Sequence, residues 1–101
     1  MVNSEILKNV KSFITLIPKN LGLREAYLFG SYAKGLEKES SDVDVALIFD
    51  SMDDFFQTQQ EMRKLRRKID LRIEPHPLKS QDFNIQNPFA KEIKETGILI
   101  A

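Results

Sequence analysis

Two strand-like segments joined by one helical segment constrain the fold of this chain more than any other feature. The first, "DVDVALIF" at residues 42–49, is apolar except for its aspartates, and the second, "IDLRIE" at residues 69–74, alternates strictly between apolar and polar residues. Between them, residues 52–68 follow a capping-box pattern from Ser51 to Asp54 and end in a basic run, which predicts a helix. A helix of about 17 residues is long enough for a right-handed crossover between parallel strands. The sequence therefore predicts that the two strands are parallel neighbours in one sheet.

The other elements follow from periodicity and from residues that begin or end helices. Apolar residues recur at helical spacing over residues 4–20, and "REAYLFG" at residues 24–30 is typical of a strand. Asn87 followed by Pro88 predicts the start of a last short helix. The "ILI" at residues 98–100 is expected to add an edge strand.

Length and composition limit the chain to one domain of modest size. The chain has 101 residues and no internal repeat or linker, so a single domain over residues 1–101 is expected. The predicted fold class is α/β (α+β), with a short mixed β-sheet and helices packed on one face. Pro75 and Pro77 are expected to end the third strand, and Phe55 and Phe56 are expected to lie in the core.

The charge balance and the absence of cysteine exclude several classes of function. Lys and Arg total 15 and Asp and Glu total 15, so the net charge of zero does not support a general affinity for nucleic acid or anionic membranes. Without cysteine, disulfides and cysteine-ligated zinc are excluded. The start of the chain lacks the pattern of a signal peptide, and no apolar run approaches the ~20 residues that a membrane span needs. A cytoplasmic location is therefore expected.

Three aspartates are predicted to meet at one edge of the sheet. Parallel neighbours begin at the same edge, so Asp42 and Asp44 at the start of the second strand converge with Asp70 at the start of the third. If the first strand is antiparallel to the second, its end brings Gly30 and Ser31 to the same edge. Clustered carboxylates repel one another, and aspartate is disfavoured in strands, so this arrangement costs stability unless a cation neutralises it.

Such a cluster points to phosphate chemistry. Carboxylate oxygens suit Mg2+ or Mn2+, and these ions usually complete their coordination with water and substrate phosphates. Gly30 allows a close backbone approach, and Ser31 offers a hydroxyl group at the start of the short helical turn "SYAK". The predicted chemistry is phosphoryl or nucleotidyl transfer. Glu74 lies two pleats further from the edge and is left out of the cluster, and His76, between two prolines, is expected to be exposed and without a role.

The stretch "GSYAKGLEKESSDVD" at residues 30–44 resembles the Gly-Ser-x10-Asp-x-Asp signature of the polymerase-beta-like nucleotidyltransferases. The small size of the chain and "KIDLRIEPHPL" at residues 68–78 are similar to the minimal, MntA-like members of that superfamily, which are found beside HEPN-domain partners. The resemblance covers about residues 24–100. It implies the polymerase-beta-like nucleotidyltransferase fold.

The resemblance also implies roles for individual residues. Gly30 and Ser31 would hold the β and γ phosphates of a nucleoside triphosphate. Asp42 and Asp44 would hold the divalent ion that accompanies those phosphates. Asp70 would join them on a second ion that activates the attacking hydroxyl group, so two Mg2+ or Mn2+ ions are expected.

The implied reaction is transfer of AMP from ATP to a hydroxyl group of a protein, with a HEPN-type toxin ribonuclease as the acceptor and this chain as its antitoxin. The chain departs from the family pattern in the turn after Ser31, where many members carry arginine. Here Lys34 can meet a phosphate only as a point charge. A separate base-recognition domain does not fit within 101 residues, so the choice of base is expected to depend on a partner.

Several alternatives stay open at the level of the sequence. One is a non-catalytic subunit that masks its partner by contact. Another is nucleotidyl transfer to a small molecule or an RNA end, although direct binding of nucleic acid is not expected. Homo-oligomers and hetero-oligomers are both compatible with the sequence, and Phe83, Ile85 and Phe89 in an irregular segment are candidates for an exposed partner surface.

Overall fold

The computed structural model describes residues 2–101 as four helices and four strands in an α+β fold. Short 3-10 turns follow α1 and β3, at Lys19–Leu21 and Ser80–Asp82. The elements in chain order are α1 (Ser4–Thr15), β1 (Leu23–Phe29), α2 (Ser31–Lys34), β2 (Val43–Phe49), α3 (Phe55–Arg66), β3 (Ile73–Lys79), α4 (Pro88–Thr96) and β4 (Ile98–Leu99).

The sheet is mixed, with the strand order β3-β2-β1-β4. β1 is antiparallel to both β2 and β4, whereas β2 and β3 are parallel and are joined by α3. The predicted parallel pair, the crossover helix and the C-terminal edge strand are therefore confirmed. No helix among residues 2–101 is long and apolar enough to cross a membrane.

The third strand lies further along the chain than the sequence predicted. The prediction of a strand over residues 69–74 that ends at the prolines was wrong, because β3 runs from Ile73 to Lys79 and contains both Pro75 and Pro77. β3 is an edge strand, and the carbonyl of Pro75 faces α3, where it accepts a hydrogen bond from Gln59. A proline on the free side of an edge strand removes no hydrogen bond from the sheet.

The two faces of the sheet carry different layers. One face packs against α1 and α3, and the opposite face packs against α4. The expectation of helices on one face thus holds for α1 and α3, while α4 and the turn before it cover part of the other. The first layer is built on Val43, Val45, Leu47 and Phe49 of β2 with Val10 and Phe13 of α1 and Met62 of α3, and the second on Ala46 and Ile48 with Phe29, Phe83, Ala90 and Ile93.

The crossover helix begins later than predicted, at Phe55, because Asp54 caps it by accepting a hydrogen bond from the backbone N–H of Gln57. This start leaves both phenylalanines outside the core. Phe55 is 45% exposed and Phe56 is 75% exposed, which corrects the expectation that they are buried. The first turn of α3 therefore presents aromatic surface to its surroundings.

Candidate active site

Asp44 and the Gly30-Ser31 turn meet where β1 ends and β2 begins. In the antiparallel register, Phe29 pairs with Asp44, so Gly30 follows directly beside the carboxylate. Asp42 comes just before β2 and is exposed, while Asp44 is half-buried. The predicted meeting of these residues at one edge of the sheet is what the structure contains.

Gly30 allows this close approach. Its φ of +76° is rarely adopted by residues with a side chain, and a Cβ atom added there would lie 2.5 Å from Oδ2 of Asp44. Ser31 then begins α2 and is half-buried. The carboxylate of Asp44 therefore lies against the backbone of the turn in a way that only glycine permits.

His76 contacts the same carboxylate, which the sequence did not indicate. Its Nε2 lies 3.0 Å from Oδ1 of Asp44, and since a carboxylate only accepts hydrogen bonds, Nε2–H is the donor. The prediction that His76 is an exposed loop residue was wrong, because β3 continues through the prolines and His76 is half-buried within it. The sequence held one indication of this contact. Side chains alternate along a strand, so His76 falls on the same face as Glu74 if the strand continues through the prolines.

Asp70 lies elsewhere. It precedes β3 by three residues, and its carboxylate accepts hydrogen bonds from Arg72 and from Asn9 of α1, which packs on the other face of the sheet from Asp44. The predicted convergence of Asp70 with Asp42 and Asp44 is thus not found. The hydrogen bond from Arg72 is the main cause that lowers the pKa of Asp70 to about 2.

Glu74 occupies the position that the sequence had assigned to Asp70. In the parallel register, Glu74 pairs with Asp44, and parallel partners point to the same face. Arg63 of α3 donates to one carboxylate oxygen of Glu74 at 2.8 Å, and Arg66 donates to the other at 3.1 Å. Burial raises the pKa of Glu74, but the two arginines outweigh that effect and the pKa is lowered.

Lys34 is not free to meet a phosphate in this conformation. Its Nζ lies 3.0 Å from a carboxylate oxygen of Glu92 on α4. Both side chains are partly exposed, so the ion pair is weak and a more highly charged anion can compete for the lysine.

Among residues 2–101, no three His, Cys, Asp or Glu side chains are placed together to hold a metal ion. The donor chemistry nevertheless suits a hard divalent cation. Asp44 lies at the start of β2 with Asp42 just before the strand, and Glu74 lies beside Asp44 in register. The arginines hold Glu74 at the edge of β3, so it would have to turn from them to join the pair.

The comparison with known families agrees with the geometry. The family model described as polymerase beta, nucleotidyltransferase, matches residues 11–101. This chain belongs to that family. As a family member, the chain is a nucleotidyltransferase, and the resemblance deduced from the Gly-Ser and Asp-x-Asp residues is confirmed.

Two relatives of this nucleotidyltransferase carry more specific names. The candidate protein adenylyltransferase MJ0141 of Methanocaldococcus jannaschii is 34% identical over 97 residues, which cover 93% of this chain and 94% of that protein. The protein adenylyltransferase MntA of Thermococcus cleftensis is 32% identical over 72 residues, which cover 67% of this chain and 73% of MntA.

Solved structures share the fold of this nucleotidyltransferase. A candidate nucleotidyltransferase from Sulfolobus solfataricus superposes with a TM-score of 0.64 at 23% identity, covering 93% of this chain and 78% of that one. A toxin-antitoxin crystallised with AMP-PNP superposes with a TM-score of 0.62 at 19% identity, covering 94% and 72%. At these identities, the similarity establishes the fold class.

The contacts of Asp70 predict a structural contribution that depends on pH. Because the pKa is lowered in the folded state, the contribution is present above the ordinary pKa near 3.8 and is lost as the pH falls from about 4 to 2. Asp70→Asn should lower the free energy of unfolding by about 1 kcal/mol at pH 7, after allowance for the half-exposed Arg72. Urea unfolding at several pH values should show the difference shrinking below pH 4.

Asp50→Asn is the matched control for this measurement. Asp50 also pairs with an arginine, Arg24, but both side chains are mostly exposed, so its removal should change the free energy of unfolding by less than about 0.5 kcal/mol. An Asp70→Asn variant that is as stable as the parent at pH 7 would contradict the structural role.

Proposed function

We propose that this nucleotidyltransferase transfers AMP from ATP to a hydroxyl group of a partner protein and is the antitoxin of a toxin-antitoxin pair with a HEPN-type toxin. The observation that carries the proposal is the contact of Asp44 with the Gly30-Ser31 turn, which joins the two halves of the family signature. The names of the relatives, protein adenylyltransferases, support AMP transfer. The chain also shares its fold with a toxin-antitoxin crystallised with AMP-PNP, and this similarity supports the proposed role as an antitoxin.

Gly30 and Ser31 bind the β and γ phosphates in this proposal, because a glycine without Cβ lets the phosphates approach the backbone beside Asp44. Lys34 exchanges its ion pair with Glu92 for one with a phosphate. The acceptor oxygen forms a bond to the α-phosphorus as the bond from that phosphorus to the bridging oxygen of the β-phosphate breaks. Pyrophosphate leaves, the hydroxyl proton is released, and AMP stays on the acceptor.

Asp42 and Asp44 hold a divalent cation, Mg2+ or Mn2+, in the proposed complex with ATP. When two such ions are bound, they supply charge stabilisation for the entering and leaving oxygens. The third carboxylate we propose is Glu74 and not Asp70, because Glu74 shares the strand face of Asp44 whereas Asp70 is held by Arg72 and Asn9. Rotation of Glu74 away from its arginines then accompanies binding.

The acceptor protein docks, in this proposal, in a groove of about 420 Å3 beside β3. In an in-line displacement, the entering and leaving oxygens lie on opposite sides of the phosphorus. With pyrophosphate at the end of β1, the proposal has the acceptor approach over β3, whose residues 76–79 line this groove. Its lining is mainly apolar and includes His76, with Met52, Phe55, Pro77, Leu78 and Phe89 around it.

The expectation of a partner surface formed by three residues after β3 is only partly met. Phe83 was wrongly included, because it is 8% exposed and packs in the second layer. Ile85 is well exposed, and Phe89 is partly exposed and lines the groove. The proposed docking surface is therefore the groove, which includes Phe89. Ile85 is not part of the groove but lies close to Phe89 along the chain.

Transfer of label from α-labelled ATP to a HEPN-domain partner tests the proposed function. The parent chain with Mg2+ should label the partner, and Asp42→Asn combined with Asp44→Asn should reduce the labelling at least 100-fold, because the phosphate-bound cation loses its ligands. If the double variant neutralises the partner as well as the parent does, the chain acts by contact and not by catalysis. Labelling of RNA ends or small molecules in place of protein would also contradict the proposal.

A second prediction distinguishes Glu74 from Asp70 as the third carboxylate that binds a metal ion. Glu74→Gln should lower the transfer rate by about 100-fold or more, since a carboxylate that binds cation becomes a neutral amide. Asp70→Asn should keep the transfer rate within about threefold of the parent while lowering stability. Single-turnover rates at saturating ATP measure both, and the reverse order of the two variants would restore Asp70 as the third ligand.

The groove provides a third prediction with a control in the adjacent residue. Phe55 lines the groove, whereas its neighbour Phe56 is more exposed and does not. Phe55→Ser should raise KM for the acceptor protein about tenfold, since buried aromatic anchors dominate binding, and should leave KM for ATP unchanged. Phe56→Ser should leave both values within about twofold. Equal effects of the two substitutions would exclude the groove as the docking surface.

A further inference from the structure

His76 is placed to control the orientation of a carboxylate that the proposed function uses. Its Nε2–H donates to Oδ1 of Asp44 at 3.0 Å. In the parallel register, His76 pairs with Ala46, one side-chain repeat beyond Asp44 on the same face, so the imidazole reaches back along the sheet. The contact therefore joins β3 to the first residues of β2.

The imidazole ring is itself held by aromatic neighbours from two other elements. The ring of Phe29 on β1 lies 5.0 Å from it in an edge-to-face arrangement, and the ring of Phe89 on α4 lies 5.9 Å away. The two phenylalanine rings also contact each other, at 5.3 Å. Such pairs favour definite ring orientations, so β1, β3 and α4 together fix the direction of the Nε2–H bond.

Both oxygens of Asp44 consequently have a close neighbour, and His76 supplies a hydrogen bond to one of them. Oδ2 lies against Gly30, where no side chain fits, and Oδ1 accepts the hydrogen bond from His76. A carboxylate with neither contact would rotate about its terminal bond, because that torsion has a broad profile. With both contacts, the plane of the carboxylate and the direction of its free lone pairs are set before any ligand binds.

We infer that His76 is a positioning residue, which holds the carboxylate of Asp44 in the orientation that receives a divalent cation and the phosphates of a nucleotide. The inference rests on the proposed function for the role of Asp44, and it adds a residue and a contact that the family signature does not contain. Hydrogen-bond partners of metal ligands typically contribute about 10–100-fold to metal affinity or activity. In this role His76 acts through Asp44 and does not touch the nucleotide.

Three substitutions test the inference. His76→Leu keeps an apolar side chain against Phe29 but has no donor. His76→Gln restores an N–H donor near the position of Nε2, whereas His76→Asn has a donor on a shorter side chain that does not reach Asp44. Mn2+ affinity, measured by electron paramagnetic resonance on the isolated chain without ATP or partner, is the first readout, and the melting temperature of each variant is the control for folding.

The expected result is a dissociation constant for Mn2+ about tenfold weaker in His76→Leu and His76→Asn, and within about threefold of the parent in His76→Gln. Nucleotide transfer at saturating acceptor should follow the same order through kcat. If His76→Leu does not fold, the comparison of Gln with Asn decides the question. Equal Mn2+ affinity in those two variants, or parental affinity in His76→Leu, would overturn the inference.

A measurement on the metal-free chain separates this inference from the proposed function. Long-range proton-nitrogen spectra should show the His76 ring protonated at Nε2, with slow exchange of that proton in the parent and fast exchange in Asp44→Ala. Slow exchange together with absent nucleotide transfer would contradict the proposed function alone. Fast exchange in the parent would contradict the hold of His76 on Asp44, whatever the chain transfers.

Discussion

The central strand β2 is buried on both faces, and its pairing with β1 on one side and β3 on the other places Asp44 beside Glu74, His76 and the turn at Gly30. Because side chains alternate along a strand, a shift of one residue in either pairing would turn Asp44 into the layer beneath α1 and α3. The apolar residues on both faces prevent such a shift. The energy that fixes Asp44 beside Gly30 and His76 therefore comes from the core and not from the site.

The acidic residues of the chain divide into two groups by what they contact. Asp70 is paired with Arg72 and Asn9, and its lowered pKa shows that the folded state favours its charged form. Asp44 contacts a glycine and a histidine, and no arginine or lysine in the part of the chain that the structure describes pairs with it. Two carboxylates next to β strands thus have different contacts, and the proposed function assigns chemistry to Asp44 alone of the two.

The arginine pair on α3 adds a further distinction. Arg63 and Arg66 bind Glu74 from the free edge of β3, where α3 runs alongside, so this carboxylate is neutralised within the chain. The same helix presents Phe55 to the groove at its other end. The crossover helix consequently borders both the candidate metal ligands and the surface proposed for the acceptor. This position follows from the parallel connection, which requires a helix along the sheet.

The sequence by itself determined the parallel strand pair with its crossover helix, the Gly-Ser turn beside the Asp-x-Asp residues, and the family. All of these features follow from local periodicity and from spacing along the chain, and both can be read from the order of the residues. Only the tertiary structure decided the start of β3, because the tolerance of Pro75 and Pro77 depends on which side of that strand is free. Because β3 begins only at Ile73, Asp70 precedes the strand and lies outside the candidate site. The same position of β3 places Glu74 beside Asp44 and allows His76 to donate a hydrogen bond to the carboxylate of Asp44.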